Sequence, residues 1–359
     1  MLYFKTLNKF IDVERLSHSI KTALACVIGL TLARVIGLPA DQWVVITIIV
    51  VMCAQLYVGS VVQKAYLRFL GTMIGCLFAI ITILTVGDSH TAVVFIIALS
   101  SFIFSYLATS QESMTYAGTL GAVTTAIIML GQQPTVIFAL ERFLEIAIGL
   151  LIATLISQFI LPIHARTHLR RAQAATLTQL RDFYVKALTS NKESSTSTEE
   201  FDYHDLDEAI VKSLLKQRQL AKESKREPLG SAFNPDDFME SLLSEREILR
   251  SITFMHTALL RMKTMQTIFK KSSNLQKFNE TILKALDVII RVIETENPMN
   301  EHIHVPSLSQ LKDEIQQSTH PVSRDELFYS NGFLFSAEFL IESLIKLAKI
   351  YHIPVYQEV

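Results

Sequence analysis

The sequence predicts an all-α protein, an integral membrane bundle of six transmembrane helices followed by a cytoplasmic α-helical domain. Two observations carry this prediction. Half of the 359 residues are hydrophobic and the mean hydropathy is +0.34, yet the segment 18–161 contains only ten charged side chains. A soluble core does not need apolar runs long enough to cross a bilayer. The segment after residue 161 is far more charged, which predicts a second, water-exposed domain.

Six apolar segments predict the six spans, because about 20 apolar residues at ~1.5 Å per residue cross a ~30 Å hydrocarbon layer. The segments are 18–37, 42–58, 69–86, 91–109, 114–131 and 138–161. Short connections, three of them opened by Gly37, Gly87 and Gly131, make neighbouring spans antiparallel. We therefore expect a transmembrane domain over 1–165.

Lysine and arginine are distributed unevenly around these spans. Basic residues precede the first span, Lys64 and Arg68 lie between the predicted second and third spans, and three arginines follow the sixth. The connections after the first, third and fifth spans contain neither residue type. The positive-inside rule then predicts cytoplasmic N- and C-termini, in a bacterial inner membrane.

The predicted cytoplasmic domain covers 166–359 and contains several amphipathic helices. The polar segment at about 191–203 is expected to be a mobile loop. Apolar residues recur at near-heptad spacing from Ile248 to Phe269. Such a stripe fits either the core of a helical bundle or a dimer contact.

Motifs for enzymatic chemistry are absent from the sequence. It contains no Walker A pattern, no H-E-x-x-H and no G-x-S-x-G, so we expect neither an enzyme nor a cofactor. The three cysteines lie singly in separate apolar runs, and His302 with His304 forms only an isolated pair. No metal site is expected. Without a basic stripe, nucleic acid is not an expected partner.

Ionisable residues inside the apolar runs are the candidate functional residues, since such groups are costly in lipid and usually face a bundle interior or a wet path. Arg142 and Glu145 lie three residues apart and share one helix face with Gly149. The pair either holds helices together, or one group binds an anion while the other tunes it.

Three further basic residues are candidates for the same anion path. Arg34 lies at about the depth of Arg142 and either faces a common outer vestibule or snorkels to the interface. Lys64 and Arg68, four residues apart, either anchor the inner side of the membrane or draw anions toward the path. The pair Gly71 and Gly75 allows close helix approach, so a packing role is expected there.

These fragments occur together in a recognisable order. The run from Trp43 to Thr47 is followed by Gly59, by Lys64 and Arg68, and by Leu70-Gly71-Thr72-x-x-Gly75. This set, with Arg142-Phe-Leu-Glu145-Ile-x-Ile-Gly149, resembles the fusaric-acid-resistance-like (FUSC) family and its aromatic acid exporter relatives. The six-span layout with a helical tail is also similar to the plant aluminium-activated malate transporters.

The resemblance implies a membrane transporter or channel that exports small organic anions, including aromatic carboxylates, and works as a homodimer in the lipid bilayer. An accessory efflux subunit is a further implied partner. In the malate-transporter relatives, cations of the membrane helices line the anion path. Arg142 is the residue of this sequence that best corresponds to such a cation. The alternative is a membrane-anchored interaction or sensory protein, in which the cytoplasmic helical domain is the functional part.

Overall fold

The computed structural model describes residues 12–86, 90–111, 114–131, 134–189, 197–227, 234–262, 272–317 and 324–357. The described residues are 84% helical, which confirms the all-α class. The described strands are two short ones, β1 (Ile303–Val305) and β2 (Val355–Gln357), which pair in parallel.

The first half of the chain forms six apolar helices, one for each apolar segment of the sequence. They are α1 (Val13–Ile36), α2 (Gln42–Met52), α3 (Val58–Val86), α4 (His90–Ser110), α5 (Thr115–Met129) and α6 (Val136–Phe159). In the described part of the chain, α1, α3 and α4 are long and apolar enough to cross a membrane, whereas α2 and α5 are shorter apolar helices. The 24 residues of α6 include three ionisable ones.

The second half is also helical but amphipathic. It contains α7 (Ala165–Tyr184), which continues into a π-helical turn (Val185–Thr189), α8 (Ser197–Ser224), α9 (Pro235–Arg261), α10 (Ser273–Thr295), α11 (Ser309–Gln317) and α12 (Arg324–Ile350). Asn234 caps α9 by accepting from the Asp236 N–H, and Pro235 follows at the first helical position, where its missing N–H costs nothing.

The chain divides into two compact units. One comprises residues 1–165 together with 223–230, and the other comprises 166–222 together with 231–359. We call them the apolar unit and the polar unit. Many apolar side chains of the apolar unit are exposed, such as Phe102 at 72% and Phe159 at 67%. A surface of this kind suits lipid rather than water.

Small residues let the helices of the apolar unit approach closely. A Cβ atom on Gly71 of α3 would collide with the backbone carbonyl of Ala117 in α5, and one on Gly75 would lie 2.6 Å from the Gly121 oxygen. Gly149 of α6 meets α2 in the same way, since its Cβ would lie 2.8 Å from the Val44 oxygen. Each of these three glycines thus lies where two helix backbones are nearly in contact.

The observed boundaries differ from the predicted ones in two places. The second apolar segment is helical only to Met52, and α3 begins at Val58, so Lys64 and Arg68 lie within a helix rather than between two. The predicted loop at 191–203 lies partly outside the described residues, but α8 already begins at Ser197.

Candidate functional site

Arg142 and Glu145 form a buried ion pair on α6. Arg142 Nη1 lies 2.8 Å from Glu145 Oε2, and Nη2 donates to Oε1 at 3.2 Å. The side chains are 4% and 0% exposed. Thr135 caps the helix by accepting from the Phe138 N–H, so the pair lies in the second and third turns of α6. The pairing at i, i+3 that the sequence suggested is present in the structure.

The connection between α1 and α2 completes the surroundings of this pair. The backbone N–H of Ala40 donates to Glu145 Oε1 at 2.9 Å. The rings of Trp43 and Phe138 lie 5.7 and 4.9 Å from Arg142 Cζ, which is cation–π distance. Within the described part of the chain, Arg142 Nε is buried without a hydrogen-bond partner, and Nη1 contacts Glu145 Oε2 only as an ion pair. One donor of the guanidinium is therefore available to another acceptor.

Arg34 forms a separate, exposed ion pair. Its Nε donates to Asp41 Oδ2 at 2.9 Å, and its side chain is 69% exposed. Asp41 follows Ala40 directly, so one short connection contacts both Arg34 and Glu145. Sequence reasoning did not single out Ala40 or Asp41, because their role depends on a contact with a helix more than 100 residues further along the chain.

Lys64 and Arg68 both lie on α3, and both side chains have Tyr116 of α5 as a neighbour. Lys64 Nζ is 5.3 Å from the centre of the Tyr116 ring on α5. Arg68 is 5% exposed, its Nη2 donates to Thr47 Oγ1 of α2 at 3.3 Å, and its Nε is buried without a partner. Arg68 is therefore a group in the helix interface rather than a surface anchor.

Two buried basic residues of α1 were missed as candidates. Lys21 is 0% exposed and its Nζ has no hydrogen-bond partner, while His18 is 8% exposed and bonds the Met52 carbonyl through Nε2 at 3.0 Å. In the sequence, the basic start of this span indicates only the orientation of the helix. The spacing of residues in the sequence was a possible signal, because the residues of α1 that are buried recur at helical spacing and so share one face. They are His18, Lys21, Thr22, Ala25, Gly29 and Ala33.

No group of three potential metal ligands occurs among the described residues. The three cysteines are unpaired thiols in the structure. His302 and His304 lie with their ring centres 5.2 Å apart beside Tyr356 of β2, in the polar unit. Their contacts are with one another and with an aromatic ring.

The profile of the fusaric acid resistance protein family matches residues 15–231. The chain belongs to this family. The match contains all six apolar helices and ends close to residue 230, the last residue of the apolar unit. The resemblance identified from the ordered motifs of the sequence is thereby confirmed.

Three curated relatives illustrate the range of the family. The chain is 28% identical over 177 residues to the inner membrane protein YeeA of Escherichia coli K12, a match that covers 49% of each chain. It is 29% identical over 156 residues to the multidrug resistance protein MdtO of the same organism, covering 43% of this chain and 22% of MdtO. The p-hydroxybenzoic acid efflux pump subunit AaeB of Edwardsiella ictaluri is 27% identical over 160 residues, covering 41% of this chain and 25% of AaeB. The matches thus span about half of YeeA and a quarter or less of the other two.

Proposed function

We propose that this protein exports small organic anions, aromatic carboxylates among them, across the bacterial inner membrane. Family membership supports a transport role, and the printed names of MdtO and AaeB describe drug resistance and p-hydroxybenzoate efflux. The observation that carries the proposal is the Arg142 site, a buried guanidinium with one free donor beside two aromatic rings.

In this proposal the six apolar helices span the membrane and both termini lie in the cytoplasm, as the lysine and arginine distribution favours. Two copies assemble into a homodimer, and an accessory efflux subunit extends the path. Export of an anion needs no ATP site, because an inside-negative membrane potential favours its exit by about 2.3 kcal/mol per charge for each 100 mV.

The geometry suggests how Arg142 receives a carboxylate. Glu145 neutralises the guanidinium and accepts the Ala40 N–H, so the empty site contains no uncompensated charge. An arriving carboxylate binds Nε and competes with Glu145 for the remaining donors, while its aromatic ring packs beside Trp43 and Phe138. Arg142 thus binds substrate and Glu145 holds the arginine in position between transport events.

A flux measurement with a neutralised pair distinguishes transport from simple helix packing. Arg142→Met alone leaves the Glu145 carboxylate buried and unpaired, at a cost of about 3–5 kcal/mol, and is expected to fold poorly. The double variant R142M/E145Q removes both charges and restores folding. We expect it to reduce p-hydroxybenzoate efflux from proteoliposomes at least about tenfold, because the anion loses its only charged partner at this site.

The matched control is Arg15→Gln, which removes an arginine from the exposed ion pair with Asp12. Efflux through this variant should equal that of the unmodified protein. Unchanged efflux in R142M/E145Q would show that the pair only packs helices. A complete absence of efflux by the unmodified protein, for every carboxylate tested, would contradict the transport proposal itself.

A further inference from the structure

Lys21 is a buried basic residue without a counter-charge among the described residues. Its side chain is fully buried in the apolar unit, and Nζ has no hydrogen-bond partner. Among the described acidic residues, none forms an ion pair with it. Charged groups buried in proteins are normally paired or bind an ion, because desolvation of an isolated charge costs several kcal/mol.

His18 lies one turn before Lys21 on the same face of α1. Its Nε2 bonds the carbonyl of Met52, the last residue of α2, and its Nδ1 is buried without a partner. The C-terminal end of α2 carries about half a negative charge, which stabilises nearby cations in part. A fractional dipole charge does not replace a full counter-ion for a buried ammonium group.

Arg68 adds a second buried cation against the same helix. It contacts Thr47, five residues before Met52 on α2, and its Nε has no partner. None of the described carboxylates forms an ion pair with Arg68. Arg68 differs in this from Arg142, which forms an ion pair with a carboxylate of its own helix. Arg68 therefore packs against the middle of α2, whereas His18, one turn from Lys21, contacts its C-terminal end.

We propose that Lys21 and His18 form a second binding site for the carboxylate of the transported anion. This inference rests on the proposed transport function. The site differs from that of Arg142, because Trp43 and Met52 lie at opposite ends of α2, nine residues and roughly 13 Å apart. Lys21 is fully buried, so binding of an anion requires that the helices around it separate. Two successive cation sites give an anion a stepwise path.

The probe is benzoate, titrated into the full-length protein in nanodiscs of phosphatidylcholine. Calorimetry counts the bound anions, and the fluorescence of Trp43, the only tryptophan of the chain, reports the Arg142 site separately. We expect about two anions per chain in the unmodified protein and about one in Lys21→Met, which keeps the Trp43 response. The matched control is Arg15→Gln, since Arg15 lies on the same helix in an exposed pair with Asp12.

Thermal unfolding distinguishes the loss of a binding site from misfolding of the variant. Lys21→Met removes an unpaired buried charge, so without anion it should melt at or above the temperature of the unmodified protein. Benzoate should raise the melting temperature of the unmodified protein and of Lys21→Arg more than that of Lys21→Met. A lower melting temperature of anion-free Lys21→Met would mean that the lysine stabilises the end of α2 and would overturn the inference.

The remaining outcomes separate the two proposals. Unchanged stoichiometry in Lys21→Met overturns the second site but leaves the Arg142 site and the proposed function intact. A missing Trp43 response with no efflux contradicts the proposed function instead. Nanodiscs that contain phosphatidylglycerol test the other source of an anionic oxygen. If that lipid abolishes the Lys21-dependent binding, a lipid phosphate occupies the site and the substrate assignment is wrong.

Discussion

At the scale of single residues, Glu245 of the polar unit is a buried carboxyl group with too few donors. Gln217 Nε2 donates to Glu245 Oε2 at 2.6 Å, whereas Glu245 Oε1 and Gln217 Oε1 lack hydrogen-bond partners. Burial raises the pKa of Glu245 to about 8, and hydrogen bonds from Gln217 and Ser241 act in the opposite direction. A proton on Glu245 supplies the donor that this network lacks.

The neighbouring groups do not supply a cation to Glu245. Tyr351 bonds Ser241 across 3.3 Å, and burial raises the pKa of its hydroxyl as well, so it stays neutral at physiological pH. The carboxyl pKa is higher in the folded protein than in the unfolded chain. Its contribution to stability is therefore complete below about pH 4.5 and is lost as the pH rises toward about 8.

Glu245→Gln should remove this pH dependence from the polar unit. At pH 4, below the pKa of this carboxyl group in the unfolded chain, the variant and the unmodified protein should exchange the amide hydrogens of α9 at similar rates. At pH 9 the variant should exchange about tenfold more slowly, because the unmodified protein must keep a buried charge. Hydrogen exchange read by mass spectrometry measures this. Glu240→Gln, an exposed position on the same helix, is the control, and equal exchange of all three proteins at pH 9 would contradict the prediction.

At the scale of helices, backbone contact between α3 and α5 depends on glycine. The Cβ of an alanine at position 71 would overlap the Ala117 carbonyl, which belongs to the main chain and cannot rotate away. The helices must then move apart along a continuous interface. Because lipid supplies no hydrophobic force between helices, close packing is a main source of their association.

Gly71→Ala should destabilise the apolar unit by about 1–3 kcal/mol, the usual cost of overpacking. The melting temperature of the detergent-solubilised protein, followed by Trp43 fluorescence, should fall. Gly332→Ala is the control, because its Cβ would meet only the ring edge of Phe254, a side chain that is 47% exposed. An unchanged melting temperature in Gly71→Ala would show that α3 and α5 can separate without cost.

The start of α7 is capped by a residue that is distant in sequence. The Glu227 carboxylate accepts the backbone N–H of Ala165, the first residue of α7, and lies 3.5 Å from His164 Nδ1. A carboxylate at this place satisfies a free N–H group and opposes the positive end of the helix dipole. Glu227 thus acts as the cap of α7 from more than 60 residues further along the chain.

Glu227→Ala should loosen the start of α7. We expect amide hydrogens of residues 165–168 to exchange several-fold faster, in line with the ~1 kcal/mol value of a helix cap. The control is Glu208→Ala on α8, which removes a carboxylate from an exposed pair with Lys212. Similar exchange in both variants would show that the cap contributes little.

At the scale of the whole molecule, the region that matches the family ends almost where the last segment of the apolar unit ends. The matched region ends at residue 231, and the apolar unit includes 223–230. Within that unit Glu223 bonds Ser60, next to Gly59, where a Cβ would collide with the Glu223 carbonyl. The segment 223–230 is therefore a part of the apolar unit that composition alone assigned to the charged tail.

The sequence by itself determined where the apolar helices lie, because lipid-facing helices must be apolar over their whole length and composition records this directly. It also determined the Arg142–Glu145 pair, since residues three apart on a helix meet whatever the tertiary structure is. The ordered motifs identified the family for the same reason, as they are local patterns.

Only the tertiary structure decided how the buried charges are balanced. The Ala40 N–H on Glu145, the Asp41 partner of Arg34 and the Thr47 partner of Arg68 all depend on contacts between helices that are separate in sequence. Lys21 looked like one more basic residue at the start of a span, and only packing shows it to be fully buried and unpaired. Charge is a property of the sequence, but its cost depends on which neighbours exclude water, and the fold determines those neighbours.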